Sequence, residues 1–430
     1  MTRQSTVRYT VWALVVAVSG PLGLAAPEEE AIPVPADIPE LVSPRTPSWA
    51  MPAPAQRAVT DWDLYAGRVY ANTSPIWVQA EYLHWWLQGN RLPSLVTTSP
   101  AGTPQAEAGV CGEPGTQVLF GDDRVDGGAR SGFRTSLGVR LGHWFDVLMD
   151  SELQFDYWWL GDAQTSGDFQ VASPEHAILA RPFFNTETGQ QDAQLISYPN
   201  VVAGGIEIET SSDLRAAGVL FRQGWLSGDR GRLEWLAGYR YLQLQEQLAI
   251  HEALVVTDPG GSVPLGTTFD VLENVNTWNE FHGGDLGLQW WTHACGWTLE
   301  VVTKVALGGI ARTVEIDGNT LIDSPGDSPV LAPGGLLALP TNMGRHQTCR
   351  FATLPELDIR LRRQLTYHLI LTVGYSLVVV DNVVRTGDQL DLAVNPTQIN
   401  GGALSGAVHP SVLMNDSRLW LHGFTVGLEW

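Results

Sequence analysis

Apolar and polar residues alternate along much of the chain, and the alternation is cleanest in its last eleven residues. Trp420, Phe424, Val426, Leu428 and Trp430 share one parity, Gly423, Thr425, Gly427 and Glu429 the other, and only His422 interrupts the apolar set. Period-two alternation makes a strand with one apolar and one polar face. The same pattern predicts strands at about Ile76–Leu87, Ser131–Trp144, Val147–Leu160, Ser212–Leu226, Arg232–Leu248, Thr277–Trp291, Trp297–Gly309, Phe351–Arg362, Tyr367–Val379 and Ser417–Trp430. In the third, Met149, Ser151, Leu153, Phe155, Tyr157 and Trp159 oppose Asp150, Glu152, Gln154 and Asp156. In the seventh, Trp297, Leu299, Val301, Val305 and Leu307 oppose Glu300 and Lys304, and in the eighth, Leu357, Ile359 and Leu361 oppose Glu356, Asp358, Arg360 and Arg362.

The connections sort into two kinds. Short links fall near Phe145–Asp146, Gly228–Gly231, His293–Gly296 and Arg363–Thr366, and long ones at Gln88–Arg130, Gly161–Ser211, Ala249–Asn276, Gly308–Arg350 and Val380–Asp416. Strict short–long alternation fits an all-β, closed antiparallel transmembrane β-barrel with short periplasmic turns and long external loops. About ten strands are expected, or twelve if Gly161–Ser211 hides a further hairpin. A soluble β-sandwich has no reason to sort its loops in this way.

The ends of the chain set the compartment. Arg3 and Arg8, the apolar run Val11–Val18 and the small residues Gly23 and Ala25 read as a signal peptide over residues 1–26. The apolar run is too short to span a membrane as a helix. Eight prolines from Pro27 to Pro54 make residues 27–75 a Pro/Ala-rich periplasmic linker, leaving 76–430 for the outer-membrane barrel. An alternating terminal strand that ends on an aromatic resembles the signal read by barrel-assembly machinery, so Phe424, Val426, Leu428 and Trp430 are its candidate residues. The expected location is the cell outer membrane, with lipid and the assembly machinery as partners.

Composition adds two exclusions and one positive sign. A net charge of −21 argues against nucleic-acid binding, which needs clustered Lys and Arg. Three cysteines do not make a disulfide scaffold. Of the 17 tryptophans, 13 gather at strand ends: Trp77, Trp144, Trp225, Trp235, Trp290, Trp297 and Trp430 at one end, Trp85, Trp86, Trp158, Trp159, Trp278 and Trp420 at the other. Two such belts are expected of an aromatic girdle, because the indole ring is apolar while its N–H prefers water.

Candidate chemistry is sparse. Gly326-Asp327-Ser328 lies in a Pro- and Gly-rich loop, and no G-x-S-x-G elbow occurs. His84, His176, His282 and His409 have no spacing that links them to a serine and a carboxylate, and no Cys/His pattern has zinc spacing. Asp317, Asp323 and Asp327, and separately Asp381, Asp388 and Asp391, could offer oxygen ligands to a hard cation, but a solvated acidic surface explains them as well. No catalytic residue, cofactor or metal is expected, and the chain reads as a non-enzyme. The candidate lumen-facing charges are Arg134, Arg140, Asp150, Glu152, Asp156, Asp285, Glu300, Lys304, Glu356, Asp358, Arg360 and Arg362. Pairing Arg140 with Asp150, and hence Arg134 with Asp156, keeps apolar against apolar in the first hairpin; Asp285 with Lys304, and hence Trp290 with Leu299, does so in the third. Such pairs would either screen a narrow pore or fill the barrel.

Several blocks resemble the planctomycete β-barrel porin family seven. They are W-V-Q-A-E-Y-L-H-W-W at Trp77–Trp86, G-Y-R-Y-L-Q-L-Q-E at Gly238–Glu246, F-H-G-G-D-L-G-L at Phe281–Leu288, K-V-A-L-G at Lys304–Gly308, P-E-L at Pro355–Leu357 and G-Y-S-L at Gly374–Leu377. The most specific is D-N-V-V-R-T-G-D-Q-L-D at Asp381–Asp391, followed by V-N-P at Val394–Pro396. The resemblance implies an outer-membrane barrel and tips the expected function towards a porin-like passive pore for small solutes. The alternative is a structural or adhesive surface protein with a filled barrel and functional external loops. The topology also places Cys111 and Cys349 in external loops, where a disulfide is expected, with Cys295 free in a turn on the opposite side.

Overall fold

The structure, a computed structural model, describes residues 75–161, 168–173, 175–228 and 231–430. The expected signal peptide and all of the expected linker but Pro75 lie outside the described residues. Ten long strands form the wall: β1 (Ile76–Leu87), β2 (Gly128–Arg140), β3 (Ser151–Leu160), β4 (Val202–Gly228), β5 (Gly231–Val256), β6 (Thr268–Ala294), β7 (Trp297–Asp323), β8 (Gly344–Thr366), β9 (Leu369–Val383) and β10 (Ser417–Glu429). Each pairs antiparallel with its chain neighbours, and β10 pairs with β1 from Gln79↔Glu429 to Leu87↔Leu421, so the hydrogen bonding runs round in an unbroken ring. Closure leaves the wall no free sheet edge, the condition for backbone to cross lipid.

Strands β4 to β7 reach 26 or 27 residues, against the 9–11 that a tilted strand needs to cross a bilayer. Their sequences show where lipid ends. On β5, Leu233, Trp235, Ala237, Tyr239 and Tyr241 point outward and Glu234 and Arg240 inward; beyond Tyr241 the outward residues become Gln243, Gln245 and Gln247, and the inward ones Leu244, Leu248 and Ile250. On β7 the outward series passes from Leu299, Val301, Val305 and Leu307 to Thr313, Glu315 and Asp317, while Val314 and Ile316 turn to the inside. The alternation never breaks; its polarity inverts. Apolar faces outward where lipid is outside, and inward where water is outside. The long loops expected at Ala249–Asn276 and Gly308–Arg350 are therefore largely barrel wall.

The turns fix the registers. Cys295 (φ 52°) and Gly296 (φ 77°) form a two-residue turn with both central residues at positive φ, which sets Ala294 opposite Trp297. From there Lys304 falls opposite Gly287, Asp285 opposite Ala306, and Trp290 opposite Val301, so the expected Asp285–Lys304 and Trp290–Leu299 pairs are out by two residues. The first hairpin errs by the same step. Arg140 pairs with Glu152, and Asp156 with Ser136, because two short 3-10 turns at Leu141–His143 and Asp146–Leu148 lengthen the link beyond the tight turn expected. A two-residue slip preserves which way every side chain faces, so facing survives where pairing does not.

Gly161–Ser211 does hold a hairpin, Leu179–Asn185 with Gln190–Ser197. It joins a separate sheet with Val96–Thr98, Gln117–Phe120 and Ala393–Val394 rather than the ring, so the wall has ten strands and not twelve. This sheet packs inside the tall part of the wall. Ile206 and Ile208 of β4, Leu248, Ile250 and Leu254 of β5, Val275 of β6 and Val314 and Ile316 of β7 share one apolar core with Leu92, Leu95, Val96, Leu179, Phe183, Ile196 and Leu336–Leu339. The external loops thus fold inward to make, with the upper wall, an external head with its own core.

Candidate functional site: the barrel lumen

Below the head the inward faces of the wall carry a continuous apolar layer. Leu83, Trp85, Leu160, Leu214, Leu242, Leu244, Phe281, Ile310, Leu354, Val380, Leu419 and Leu421 are all 0% exposed and belong to one contact cluster drawn from nine strands. The tenth, β2, contributes Arg130, also 0% exposed, whose guanidinium donates to the carbonyls of Asp126 and Ser212, each at 2.9 Å. Gly423 lies opposite Trp85 on the neighbouring strand, and a Cβ there would come within 2.4 Å of the Trp85 Cα and 2.6 Å of its ring, so the bare backbone makes room for the indole. Side chains that line a lumen and yet touch no water leave no water column at that level.

On the short-turn side of this layer the lumen is laced with ion pairs. Arg134 of β2 lies 3.7 Å from Glu81 of β1 and 3.6 Å from Asp358 of β8, four strands away round the ring. Arg240 of β5 lies 2.7 Å from Asp285 of β6 and also pairs with Glu356 of β8, which Lys304 of β7 meets at 3.1 Å. Arg360 meets Glu300 at 3.5 Å; Arg362 meets Glu300 at 3.6 Å and Glu429 of β10. Nearer the rim, Glu152 lies between Arg140 at 3.8 Å and Arg222 at 3.7 Å. Asp156 accepts from the Ser136 hydroxyl at 2.6 Å rather than from Arg134. Asp150 is a correction: it sits exposed in the turn before β3 and pairs with Arg232 at 3.4 Å, because β3 starts at Ser151 and not at Val147 as the alternation suggested. A pocket within the lattice is lined by five cations, Arg134, Arg222, Arg240, Lys304 and Arg360, and four carboxylates, Asp156, Asp285, Glu356 and Asp358, so its charge is nearly balanced.

On the other side of the layer, buried polar pins tie the head to the wall. Arg181, on the inserted hairpin, is 1% exposed; its Nη1 pairs with Glu252 of β5 and lies 2.6 Å from Glu273 of β6. Glu273 accepts in addition from the backbone N–H groups of Leu336, Leu337 and Ala338 at 2.7, 2.6 and 2.8 Å. Arg385 donates to Glu246 of β5 and to the carbonyls of Gln88 and Gly89, and Asn279 of β6 exchanges two hydrogen bonds with the Val384 backbone at 2.8 and 2.7 Å. The residues Val384 and Arg385 belong to the block that carried the family resemblance, but neither arginine had any sequence signal of inward position, since both lie where alternation is absent.

Other expectations resolve individually. Trp85 and Trp158 face the lumen and not the outside, as do Trp77 and Trp291, while Trp144, Trp225, Trp235, Trp290, Trp297, Trp420 and Trp430 are exposed on the outer side. Asp391 gathers the Ser411 N–H and hydroxyl and the Ala393 N–H, with His409 at 2.9 Å, so a His–Asp–Ser group does exist that spacing did not reveal. Both His409 and Ser411 bond to the carboxylate and not to each other, which staples a loop and assembles no nucleophile. Burial pushes the Asp391 carboxyl up, but those hydrogen bonds together outweigh it and hold its pKa below the usual carboxylate value. Asp381 is engaged by Thr353 and Arg418, and among the described residues no three His, Cys, Asp or Glu gather as a metal site. All three cysteines are free, which corrects the expected Cys111–Cys349 bond. Cys349 lies on the wall strand β8, opposite Ala311, whereas Cys111 is half-buried in the first external loop, where burial and then Asp122 push its thiol pKa up.

A closed antiparallel ring with an apolar outer band, an inverted pattern above it and both ends of the wall at the short-turn rim defines a transmembrane β-barrel of the outer-membrane class. The chain belongs to the family described as Putative beta barrel porin-7, whose model matches residues 77–430. No curated protein matches it. Solved structures similar to it include the outer membrane protease OmpT from Escherichia coli, at 10% identity over 83% of this chain and 96% of that one, with a TM-score of 0.38. The translocator domain of the autotransporter NalP from Neisseria meningitidis is 10% identical over 86% and 95% of the two chains, with a TM-score of 0.27, and the Pseudomonas putida toluene transporter TodX 7% over 85% and 92%, with a TM-score of 0.23. The expectation of a non-enzyme is corrected by the first of these: one barrel that this chain resembles is a protease, so the class does not exclude catalysis. At this level of similarity no activity transfers to this chain. Membership of a β-barrel porin family implies an outer-membrane location.

Proposed function

We propose that this protein is an outer-membrane barrel whose resting lumen does not conduct, and that the barrel anchors its external head at the cell surface, where the head does the work. The observation that carries this reading is the dry layer: lumen-facing side chains from all ten strands are fully buried at one level. The ion pairs that reach across the lumen, Arg134–Asp358 and Arg240–Glu356, support it from below. The in-folded loops, pinned through Arg181 and Arg385, support it from above. In the same reading, residues 1–26 direct export, 27–75 form the periplasmic linker, and the outward tryptophans form the girdle. Phe424, Val426, Leu428 and Trp430 then serve the barrel-assembly machinery.

A passive pore for small solutes is the second reading, favoured by the family description and by the charged pocket in the lower lumen. It requires the head to leave the mouth and the dry layer to widen. Solute release from vesicles that hold the refolded chain separates the two. Retention of a small sugar as in protein-free vesicles is expected for the anchor, and rapid release establishes the pore.

A further inference from the structure

Two histidines stand on the outer face of the barrel, at the level where its pattern inverts. His282 is the last outward residue on β6 before Glu280, and on β10 His422 is followed outward by Trp420 and then Arg418. Each imidazole is engaged on one side by a tyrosine of the neighbouring strand: Tyr239 Oη lies 2.6 Å from His282 Nδ1, and Tyr375 Oη 2.6 Å from His422 Nδ1. With the phenol donating to Nδ1, the ring proton sits on Nε2; with a charged imidazolium, Nε2 is protonated as well. In both of these states an N–H donor faces the boundary between lipid tails and headgroups, where leaving it unpaired is costly; with Nδ1–H donating to the phenol oxygen instead, Nε2 would be an acceptor.

The two positions differ in their surroundings. The His422 ring lies nearly parallel to Trp86 (5.7 Å, 21°) and to Trp420 (5.2 Å, 20°), so indoles hold its plane. Two outward positions farther along is Arg418, 71% exposed, its Nε donating to Asp381 Oδ1 at 2.6 Å, which leaves the rest of the guanidinium to the outside. The span from His422 to Arg418 along the strand is about 13 Å. Beside His282 the next outward residue is the carboxylate Glu280, which disfavours an anion, and the position that corresponds to Arg418 is Trp278. A guanidinium above an N–H donor, framed by tryptophans at the headgroup level, matches the phosphate of a membrane lipid.

We propose that the seam of β9, β10 and β1 carries a site for the phosphate of an outer-leaflet lipid. His422 Nε2–H is its donor and Arg418 its cation, with Trp86 and Trp420 flanking the headgroup. The site rests on the membrane reading of the barrel, which flotation of the refolded chain with phosphatidylglycerol vesicles checks separately. In vesicles that float with the protein, histidine labelled with ¹⁵N is probed for dipolar attenuation by lipid ³¹P. Attenuation of an Nε2 signal is expected in the wild type, lost in His422→Phe and kept in His282→Phe. Should His422→Phe fail to insert, Arg418→Gln, altered at an exposed position, is expected to lower the attenuation at least twofold. No attenuation in floating wild-type protein, or attenuation untouched by His422→Phe or Arg418→Gln, overturns the site.

Discussion

Removing the Arg181 side chain should release the head from the wall. Among the described residues Arg181 is the one cation paired with Glu252, which is 0% exposed and has Gln194 at 3.3 Å as a further partner. Glu273 would fare better, because three backbone N–H groups still point at one of its oxygens. Breaking a buried pair by deleting one partner costs about 3–5 kcal/mol, since the other charge is left uncompensated. With one carboxylate stranded and one partly held, Arg181→Ala should cost about 3 kcal/mol, or on the order of a hundredfold in the local opening equilibrium. Hydrogen exchange reads this directly. Amides of Leu179–Asn185 and Gln190–Ser197 should lose about a hundredfold of protection, while those of β10 keep theirs. Adding Glu252→Gln to Arg181→Met should recover part of the loss by neutralising both partners. Unchanged protection in the hairpin of Arg181→Ala, or equal loss in β10, would refute the view that this cluster pins the head.

Deleting Trp430, whose N–H and C=O both bond to Val78 at the closing seam, should lower outer-membrane yield and leave the chain to periplasmic proteolysis, as read by membrane fractionation; wild-type yield counts against an assembly role. The Asp391 carboxyl is held below its ordinary value of 3.8, so the stability it lends the loop from Asp391 to Ser411 is full above that pH and lost as pH falls through the depressed pKa. Exchange at the Ser411 amide should therefore rise in acid beyond its intrinsic pH dependence, and Asp391→Asn should give the acid behaviour at neutral pH. In folded protein, maleimide should label Cys295 and Cys349 quickly and Cys111 slowly, and denatured, non-reduced protein should show three reactive thiols; one reactive thiol would restore the disulfide.

The wall was legible from sequence because period-two alternation survives wherever a strand separates lipid from lumen. All ten wall strands lie where the alternation placed them, and β10 meets β1 as the terminal pattern required. Their upper ends were not legible, because the reading looked for apolar residues on the outward parity and stopped at Leu248 on β5 and at Gly309 on β7, close to where the pattern inverts. Trp85 was placed outside because both faces of β1 are apolar near its end, with Leu83, Trp85 and Leu87 inside and Tyr82 and Trp86 outside. Registers slipped by two because side-chain facing alone cannot distinguish steps of that size. The plug was hidden for another reason: Leu92, Leu95, Leu336 and Leu339 sit in segments without period, and what buries them is a tertiary contact with β4 to β7.

The central claim is that the lumen is closed at the level of Trp85, Leu244 and Phe281. Planar-bilayer recording of the refolded full-length chain in concentrated potassium chloride tests it most directly. No open-channel steps above the protein-free membrane are expected, at either polarity of applied voltage. Reproducible unitary steps from the wild-type protein would contradict the closed lumen.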